Sequence, residues 1–366
     1  MDAVTFFLFL CGFVLLTVGA EFLVRGSSRL AVLVGLSPLV VGLTVVAYGT
    51  SAPELAVALQ ASYDGQADIA IGNVIGSNIS NILLILGGAA TIAPLGVSRK
   101  LVRQEIPLMI LLSFLVLLMG LDGKLGHVDG SILCIGAIVY TVWVLLQSRR
   151  KTQAKAETSA AYRLSLRSRD GLRQLMLQLG LIGLGLGMLI LGSRWLVGGA
   201  VAVAEMLGVS QLIIGLTIIA VGTSLPEIAT SIAASFRDAR DLAVGNAVGS
   251  NLFNILMVLG VCGAIAPDGI PMSAPVLRFD LPVMIAVAMA CMPIFFSGYR
   301  IARWEGLLFL LYYAAYTMYL FLNATEHAAL GAFKTVMLAF VVPLTVVTLV
   351  TVAIQTWHGN RRNKSV

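Results

Sequence analysis

The chain consists of a succession of apolar stretches, each close to the ~20 residues that an α-helix needs to cross the hydrocarbon core of a bilayer. We count eleven, at 3–24, 38–62, 68–93, 104–121, 130–147, 174–197, 210–235, 242–266, 279–297, 303–322 and 333–355. Only 11% of the residues are charged, against roughly 25% in a soluble domain. The sequence therefore predicts an all-α, multi-pass integral membrane protein. Its first stretch is read as a spanning helix and not as a cleaved signal peptide.

A polar motif interrupts the second stretch. Residues 47–54 read Ala-Tyr-Gly-Thr-Ser-Ala-Pro-Glu, which places Glu54, two hydroxyls and two helix breakers inside an apolar segment. An ionisable side chain at membrane depth costs at least ~3 kcal/mol, so it usually faces a cavity on a transport pathway. Pro53 lacks a backbone donor and Gly49 frees the backbone, so we expect the helix to break here and to expose carbonyls as ligands. A lone glutamate in an apolar span could be a structural residue that is paired with another side chain. The motif recurs, however, as Gly222-Thr-Ser-Leu-Pro-Glu227, and a single structural residue does not explain this duplication.

The recurrence belongs to a long internal repeat. When residue 43 is aligned with residue 216 and no gap is allowed, residues 43–87 match residues 216–260 at 23 of 45 positions. Five apolar stretches precede the second copy, and because that number is odd the second copy enters the membrane from the opposite side. The sequence thus predicts two inverted five-helix repeats, ten transmembrane helices in all. Inverted-repeat transporters bind substrates and coupling ions near the midplane, between the repeats and at interrupted helices.

Four segments follow from this division. They are a first repeat at 1–147, a basic linker at 148–173, a second repeat at 174–322, and an extra C-terminal helix with a basic tail at 323–366. The linker is interpreted as a solvated loop that sets topology, with binding of lipid head groups as the alternative.

The basic residues predict the orientation. If the N-terminus is outside, 20 of the 24 Lys and Arg residues lie in inner loops or the tail, as the positive-inside rule requires. This asymmetry explains the net charge of +6 without a nucleic-acid partner, and no obligate protein partner is inferred. We expect a bacterial or archaeal inner membrane, with the central loop and the C-terminus in the cytoplasm.

A second motif supplies more oxygen donors. Gly-Asn-x-x-Gly-Ser-Asn-x-x-Asn occurs at 72–81 and again at 245–254. Its residues Asn73, Ser77 and Asn81 are four apart, so they share one helical face. Its glycines are expected to serve helix packing. Carboxylates, hydroxyls, amides and carbonyls are hard ligands that suit Ca²⁺ and Na⁺, and the absence of Cys and His from the motifs disfavours softer metals. No cofactor is expected.

The charge of the motifs suggests a mechanism. Two carboxylates in a low dielectric carry about −2, which either one Ca²⁺ or several monovalent cations can neutralise. Occupancy by one species should exclude the other. A shared site that opens alternately to the two sides of the membrane would then produce antiport.

These paired motifs resemble the two alpha-repeats of the cation/calcium exchanger superfamily, and its prokaryotic sodium/calcium exchanger branch in particular. The resemblance covers the first ten stretches and implies four cation sites between stretches two, three, seven and eight, with stretches one and six sliding against that core. It implies central ligands at Glu54, Glu227, Asn81 and Asn254. It also implies flanking ligands at Thr50, Ser51, Thr223, Ser224, Ser77 and Ser250, with the carbonyls of Ala47 and Ala220. Some relatives, including those that carry potassium, have Asp at the position of Asn254, which argues against potassium co-transport here.

The sequence leaves alternatives to Na⁺/Ca²⁺ exchange open. A Ca²⁺/H⁺ antiporter would use the same fold, with the two glutamates as proton carriers. A cation channel would conduct without a counter-ion, but the sequence has no ring of charged residues that would line a pore. An intramembrane hydrolase lacks the nucleophile and metal-ligand spacings that it would need, so we expect a transporter and not an enzyme.

Overall fold

The fold is almost entirely helical. A computed structural model describes residues 3–153, 169–208, 220–237, 239–296, 298–347 and 350. The first half contains α1 (Ala3–Val34), α2 (Pro38–Thr50), α3 (Ala52–Tyr63), α4 (Ala67–Ile92), α5 (Leu101–Asp122) and α6 (His127–Gln153). The second contains α7 (Arg169–Met206), α8 (Ala220–Gly222), α9 (Leu225–Phe236), α10 (Arg240–Ile265), α11 (Val276–Phe296) and α12 (Arg303–Ala324), and α13 (Leu330–Val347) follows.

The helices have the length and composition of membrane spans. Within the described ranges, nine helices are long and apolar enough to cross a bilayer, and a tenth span results if α2 and α3 count as one broken helix. The predicted stretch 210–235 is described only from residue 220 onward. The multi-pass membrane fold is therefore confirmed, while the count of eleven stays a prediction.

Several helices extend beyond the predicted stretches. The first was expected to end at 24, but α1 continues to Val34, because Arg25 forms an ion pair with Glu21 one turn earlier instead of ending the helix. A left-handed Gly35 and the N-cap Ser37 of α2 mark the actual break. Both ends of the predicted linker at 148–173 are helical, since α6 reaches Gln153 and α7 begins at Arg169. Residues 154–168 lie outside the described part of the chain.

The two halves repeat each other in structure as well as in sequence. In the same ungapped alignment, α9 coincides with α3 at both its first and its last residue. The α-helical segment Arg240–Phe253 likewise coincides with Ala67–Ser80. Aligned residues of the two repeats therefore form the same helices at these places.

Two short sheets show that the second copy is inverted. Strand β1 (Leu95–Gly96) lies between α4 and α5 and pairs with β4 (Arg300–Ile301), which lies between α11 and α12. Strand β2 (Lys124–Leu125) lies between α5 and α6 and pairs with β3 (Ile270–Pro271), which lies between α10 and α11. Helix α5 separates β1 from β2, so the two sheets lie at opposite ends of the bundle. The equivalent loops that contain β1 and β3 are therefore on opposite sides.

Helices α1 and α7 form a separate antiparallel pair. A Cβ atom added at Gly12 would meet the Gly192 carbonyl at 2.9 Å, and one at Gly19 would meet the Gly185 carbonyl at 2.9 Å. The partner number falls as the residue number rises, so the helices run in opposite directions. Their backbones touch because glycine has no side chain.

Burial separates a core from its surroundings. In the most apolar windows of α4 and α10, 72% and 78% of the residues are buried, against 22% in α1 and 28% in α7. The helices that contain the second motif thus form the centre of the protein, and their polar side chains lie away from lipid.

Candidate functional site

Both glutamates lie at helix breaks, as predicted. Helices α2 and α3 meet at an angle of 44°, with the break at Ser51 (φ −86°, ψ 9°). The second repeat breaks in the same way at Ser224 (φ −87°, ψ 6°). A proline near the start of α3 and of α9 is compatible with a first helical turn, and it places Glu54 and Glu227 in those turns. Each glutamate is only 1% exposed.

The two central asparagines begin widened helical turns. Asn81 is the first residue of the π-helical segment Asn81–Leu86, and Asn254 is the first residue of Asn254–Val258. Short π-helical segments inside α-helices occur often at functional sites. The sequence did not predict them.

The repeats exchange polar contacts at this point. Ser51 Oγ donates to Glu227 Oε1 at 2.8 Å, and Thr50 Oγ1 donates to Asn246 Oδ1 at 3.2 Å. The hydroxyls of Ser80 and Ser224 lie 3.3 Å apart. The charges of Glu54 and Glu227 are near enough to repel each other. The predicted site residues Thr50 and Ser51 of the first repeat therefore contact residues of α9 and α10 in the second repeat.

Several buried oxygens at the same place have no hydrogen-bond partner. Within the described residues they include Oε2 of Glu54 and of Glu227, Oδ1 of Asn81 and of Asn254, and Oγ of Ser250. A buried polar atom without a partner costs about 1–3 kcal/mol, and native structures rarely leave one without a reason. The first four are acceptors that lack a donor. The missing partner that fits this set is a cation.

The remaining predicted ligands vary in position. Ser77 is buried, and Thr223 is half-buried. The Ala47 carbonyl already accepts hydrogen bonds from the Ser51 amide at 3.0 Å and the Thr50 hydroxyl at 3.4 Å. For Ala220 the structure describes the backbone but not the side-chain environment. The roles of all these residues as ligands stay predictions.

The sequence did not single out one pair of residues in the site. Asn78 and Asn251, the first asparagines of the two Gly-Ser-Asn triplets, are 1% and 3% exposed and bond to the central asparagines. Asn81 Nδ2 donates to Asn251 Oδ1 at 2.9 Å, and Asn254 Nδ2 donates to Asn78 Oδ1 at 3.2 Å. The available signal was their identity at aligned positions of the two repeats.

The glycines of the second motif pack against a neighbouring helix, as expected, where the structure describes both helices. A Cβ atom at Gly245 would meet the Leu39 carbonyl at 2.8 Å, and one at Gly249 would meet the Leu43 Cα at 2.7 Å. These contacts hold α10 directly against α2. The residues that align with Leu39 and Leu43 fall within 209–219, outside the described residues, so the packing role of Gly72 and Gly76 stays a prediction.

The site has few charged ligands. Among the residues that the structure describes, no group of three or more His, Cys, Asp or Glu side chains could hold a metal ion together. Two carboxylates must therefore be supplemented by neutral oxygens. That ligand set suits a hard cation that is bound and released.

Comparison with known proteins agrees with this geometry. The family model described as sodium/calcium exchanger protein matches residues 4–146 and 177–322. The chain is 37% identical over 285 residues to the inner membrane protein YrbG of Escherichia coli, covering 77% of this chain and 86% of YrbG. It is 31% identical over 354 residues to the sodium/calcium exchanger MaX1 of Methanosarcina acetivorans, covering 88% of this chain and 99% of MaX1.

A solved structure has the same fold. The sodium-calcium exchanger NCX_Mj, soaked with Na⁺ and Ca²⁺, superposes with a TM-score of 0.73 at 32% identity, over 86% of this chain and 97% of that one. The family model covers both repeats on either side of the central linker. The chain belongs to the sodium/calcium exchanger family.

Proposed function

We propose that this protein is a secondary antiporter that exchanges Ca²⁺ for Na⁺ at one shared site between its repeats. The observation that carries the proposal is the set of matched, partnerless oxygens on Glu54, Glu227, Asn81 and Asn254. The relative MaX1 and the solved NCX_Mj are both sodium/calcium exchangers by name. Membership of a family of exchangers supports a role as a transporter rather than as an enzyme.

The residues perform the exchange by electrostatic balance. Glu54 and Glu227 supply two negative charges in a low dielectric, and the amide and hydroxyl oxygens replace part of the hydration shell of the ion. One Ca²⁺ neutralises the pair, and Na⁺ ions can do the same. Neither species can be added to a site that the other has already neutralised, so loading from one side is coupled to release on the other.

The arrangement of hydrogen bonds supports access from one side at a time. Thr50 bonds to Asn246 across the repeats at 3.2 Å, whereas the equivalent residues Thr223 and Asn73 form no such bond among the described contacts. Asn73 instead donates to the Glu54 backbone carbonyl at 3.0 Å. In a transporter with inverted repeats, the opposite-facing state exchanges the conformations of the two halves.

The remaining expectations are part of the same proposal. The twelve predicted ligands hold the ions, no cofactor takes part, and the protein lies in a bacterial or archaeal inner membrane with the N-terminus outside. The pairing of β1 with β4 puts the loops that hold Arg99 and Arg300 at one end of the bundle, which supports a common basic, cytoplasmic side.

Uptake of radioactive Ca²⁺ by proteoliposomes tests the proposal. Vesicles loaded with Na⁺ are compared with choline-loaded vesicles at fixed pH in the presence of a protonophore. Uptake that requires internal Na⁺ is the expected result. Uptake that ignores Na⁺ and follows an imposed pH gradient would establish the Ca²⁺/H⁺ alternative instead.

A further inference from the structure

Two amide relays lie directly behind the proposed site. In one, Met284 Sδ accepts from Asn78 Nδ2 at 3.4 Å, and Asn78 Oδ1 accepts from Asn254 Nδ2 at 3.2 Å. In the other, Met109 Sδ accepts from Asn251 Nδ2 at 3.4 Å, and Asn251 Oδ1 accepts from Asn81 Nδ2 at 2.9 Å. The two relays occupy equivalent places in the two repeats. Together they contain the central asparagines Asn81 and Asn254 and the outer asparagines Asn78 and Asn251.

The relays determine which end of each amide faces the site. An asparagine side chain presents either an oxygen acceptor or an NH₂ donor, and only the oxygen can bind a cation. Asn78 and Asn251 accept the NH₂ ends of Asn254 and Asn81, which leaves the Oδ1 atoms of those two residues without partners. The methionine sulfurs in turn accept from Asn78 and Asn251, so the oxygens of these outer amides point inward.

We infer that Asn78 and Asn251 are positioning residues that keep the Oδ1 atoms of Asn254 and Asn81 directed at the transported cation. This inference rests on the proposed function. Without its acceptor, the amide of Asn254 can rotate and present NH₂ to the cation, which removes a ligand and adds a repulsive dipole. Met284 and Met109 support the arrangement from α11 and α5.

A double-mutant cycle on equilibrium Ca²⁺ binding tests the inference. Asn78→Ala should weaken Ca²⁺ binding by about tenfold in the wild-type background, as expected for a lost buried hydrogen bond. In an Asn254→Ala background the same change should have less than about a threefold effect, because the amide to be oriented is gone. In an Asn81→Ala background the full effect should persist, because Asn81 is oriented by the other relay.

The Asn81→Ala background is the matched control, because Asn81 belongs to the other relay. Equal effects of Asn78→Ala in both backgrounds would overturn the inference, since a direct ligand or a general structural residue would act independently of which asparagine is missing. Coupling only within the pairs Asn78–Asn254 and Asn251–Asn81 would support it. A folded wild-type protein that binds no Ca²⁺ would overturn the proposed function itself, together with the inference.

An ion pair independently connects the two helices α1 and α7 to the core. The Glu21 carboxylate on α1 accepts a hydrogen bond from Arg237 at the C-terminal end of α9, and it also forms ion pairs with Arg237 and Arg25. The ungapped alignment of the repeats matches Glu21 with Arg194 and Arg237 with Asp64. Both repeats therefore have residues of opposite charge at these two positions, with the acidic and the basic residue exchanged.

Only one of the two pairs is formed. Asp64 is exposed and accepts from Gln60 Nε2 at 3.0 Å, and no ion pair joins it to Arg194 in the described residues. Gly12 faces Gly192 and Gly19 faces Gly185, so Glu21 and Arg194 lie about 16 Å apart along the helix pair at 1.5 Å per residue. The two pairs therefore involve well-separated positions along the α1/α7 pair.

The geometry points to a two-position latch in which Glu21–Arg237 holds the α1/α7 pair in the state described here and Arg194–Asp64 holds it in the opposite-facing state. This too depends on the proposed exchange, because only a protein with alternating access visits the second state. Exchange of the two latches would accompany transfer of access from one side to the other.

Charge reversal tests the latch. Asp64→Arg should slow sodium-driven Ca²⁺ uptake by about two- to fivefold, the scale of an exposed ion pair, and Arg194→Glu in the same chain should restore it. Asp68→Arg is the control, because Asp68 is also exposed in this region and its reversal should not be rescued by Arg194→Glu. Failure of the first rescue, or equal rescue of both variants, would overturn the latch while leaving the exchange activity in place.

Discussion

Ser51 of the first repeat donates its hydroxyl proton to Glu227 of the second repeat across 2.8 Å. The donor is at the break before α3 and the acceptor is in the first turn of α9. One repeat thus helps to orient the carboxylate of the other, and neither half alone contains a complete site.

Removal of either central charge should abolish Ca²⁺ binding. Glu54→Gln or Glu227→Gln leaves the remaining carboxylate unable to neutralise Ca²⁺, and loss of one partner from a buried charge pair costs about 3–5 kcal/mol, which is more than 100-fold in affinity. Equilibrium binding of radioactive Ca²⁺ measures the effect. Glu305→Gln is the control, because Glu305 is also buried but caps α12 by accepting from the Ala302 amide. A Glu54→Gln protein with normal affinity would refute the assigned site.

Loss of the Ser51 hydroxyl should weaken binding more moderately. Ser51→Ala removes a hydrogen bond to a charged acceptor, worth about 1.5–3 kcal/mol, so the Ca²⁺ affinity should fall by roughly tenfold or more. Ser113 is an equally buried serine that donates only to its own helix, at the Met109 carbonyl, and Ser113→Ala should leave the affinity unchanged. Similar losses in the two variants would indicate general loosening instead of a site contact.

Substitution of one glycine of α7 by alanine should disturb the packing against α1, whereas substitution of another should be tolerated. A Cβ atom at Gly185 would lie 2.8 Å from both the Gly19 carbonyl and the Leu23 amide nitrogen, whereas one at Gly180 meets nothing within 4 Å. Gly185→Ala should therefore destabilise the folded protein by about 1–3 kcal/mol. Gly180→Ala should be neutral or slightly stabilising. Thermal unfolding in detergent compares them, and equal melting temperatures would contradict the described packing.

Two tyrosines outside the site, one in each repeat, should differ in their contribution to stability. Tyr140 donates to the buried Glu105 carboxylate at 2.8 Å, and Tyr316 donates to Asp280 at 3.4 Å. Tyr140→Phe should lower the free energy of unfolding by about 1.5–3 kcal/mol, and Tyr316→Phe should lower it less because its hydrogen bond is longer. The reverse order, measured by chemical denaturation, would contradict this assignment.

Much of the fold was predictable from the sequence because membrane spans and repeats are periodic. The inverted halves, the helix breaks at Ser51 and Ser224 and the burial of Glu54 and Glu227 all follow from the constant offset between the repeats and from the requirement to place charges away from lipid. The extension of α1 past Arg25 did not follow, since composition alone does not show that Arg25 pairs with Glu21 within the helix.

The orientation of individual amides was beyond sequence reasoning. Asn78 and Asn81 have the same chemistry and lie one turn apart, and only the three-dimensional contacts show that Asn81 leaves an oxygen free while Asn78 orients Asn254. The π-helical turns that begin at Asn81 and Asn254 were not predicted from the sequence either. Such details are tertiary, and a periodic pattern does not contain them.

Competition between the two ions tests the central claim most directly. Equilibrium binding of radioactive Ca²⁺ to the purified protein is measured at increasing Na⁺, with choline replacing Na⁺ to keep the ionic strength constant. A single shared site predicts complete displacement of Ca²⁺ by Na⁺, with a steep dependence because more than one Na⁺ replaces each Ca²⁺. Ca²⁺ that stays bound at saturating Na⁺ would contradict mutually exclusive occupancy and the exchange mechanism built on it.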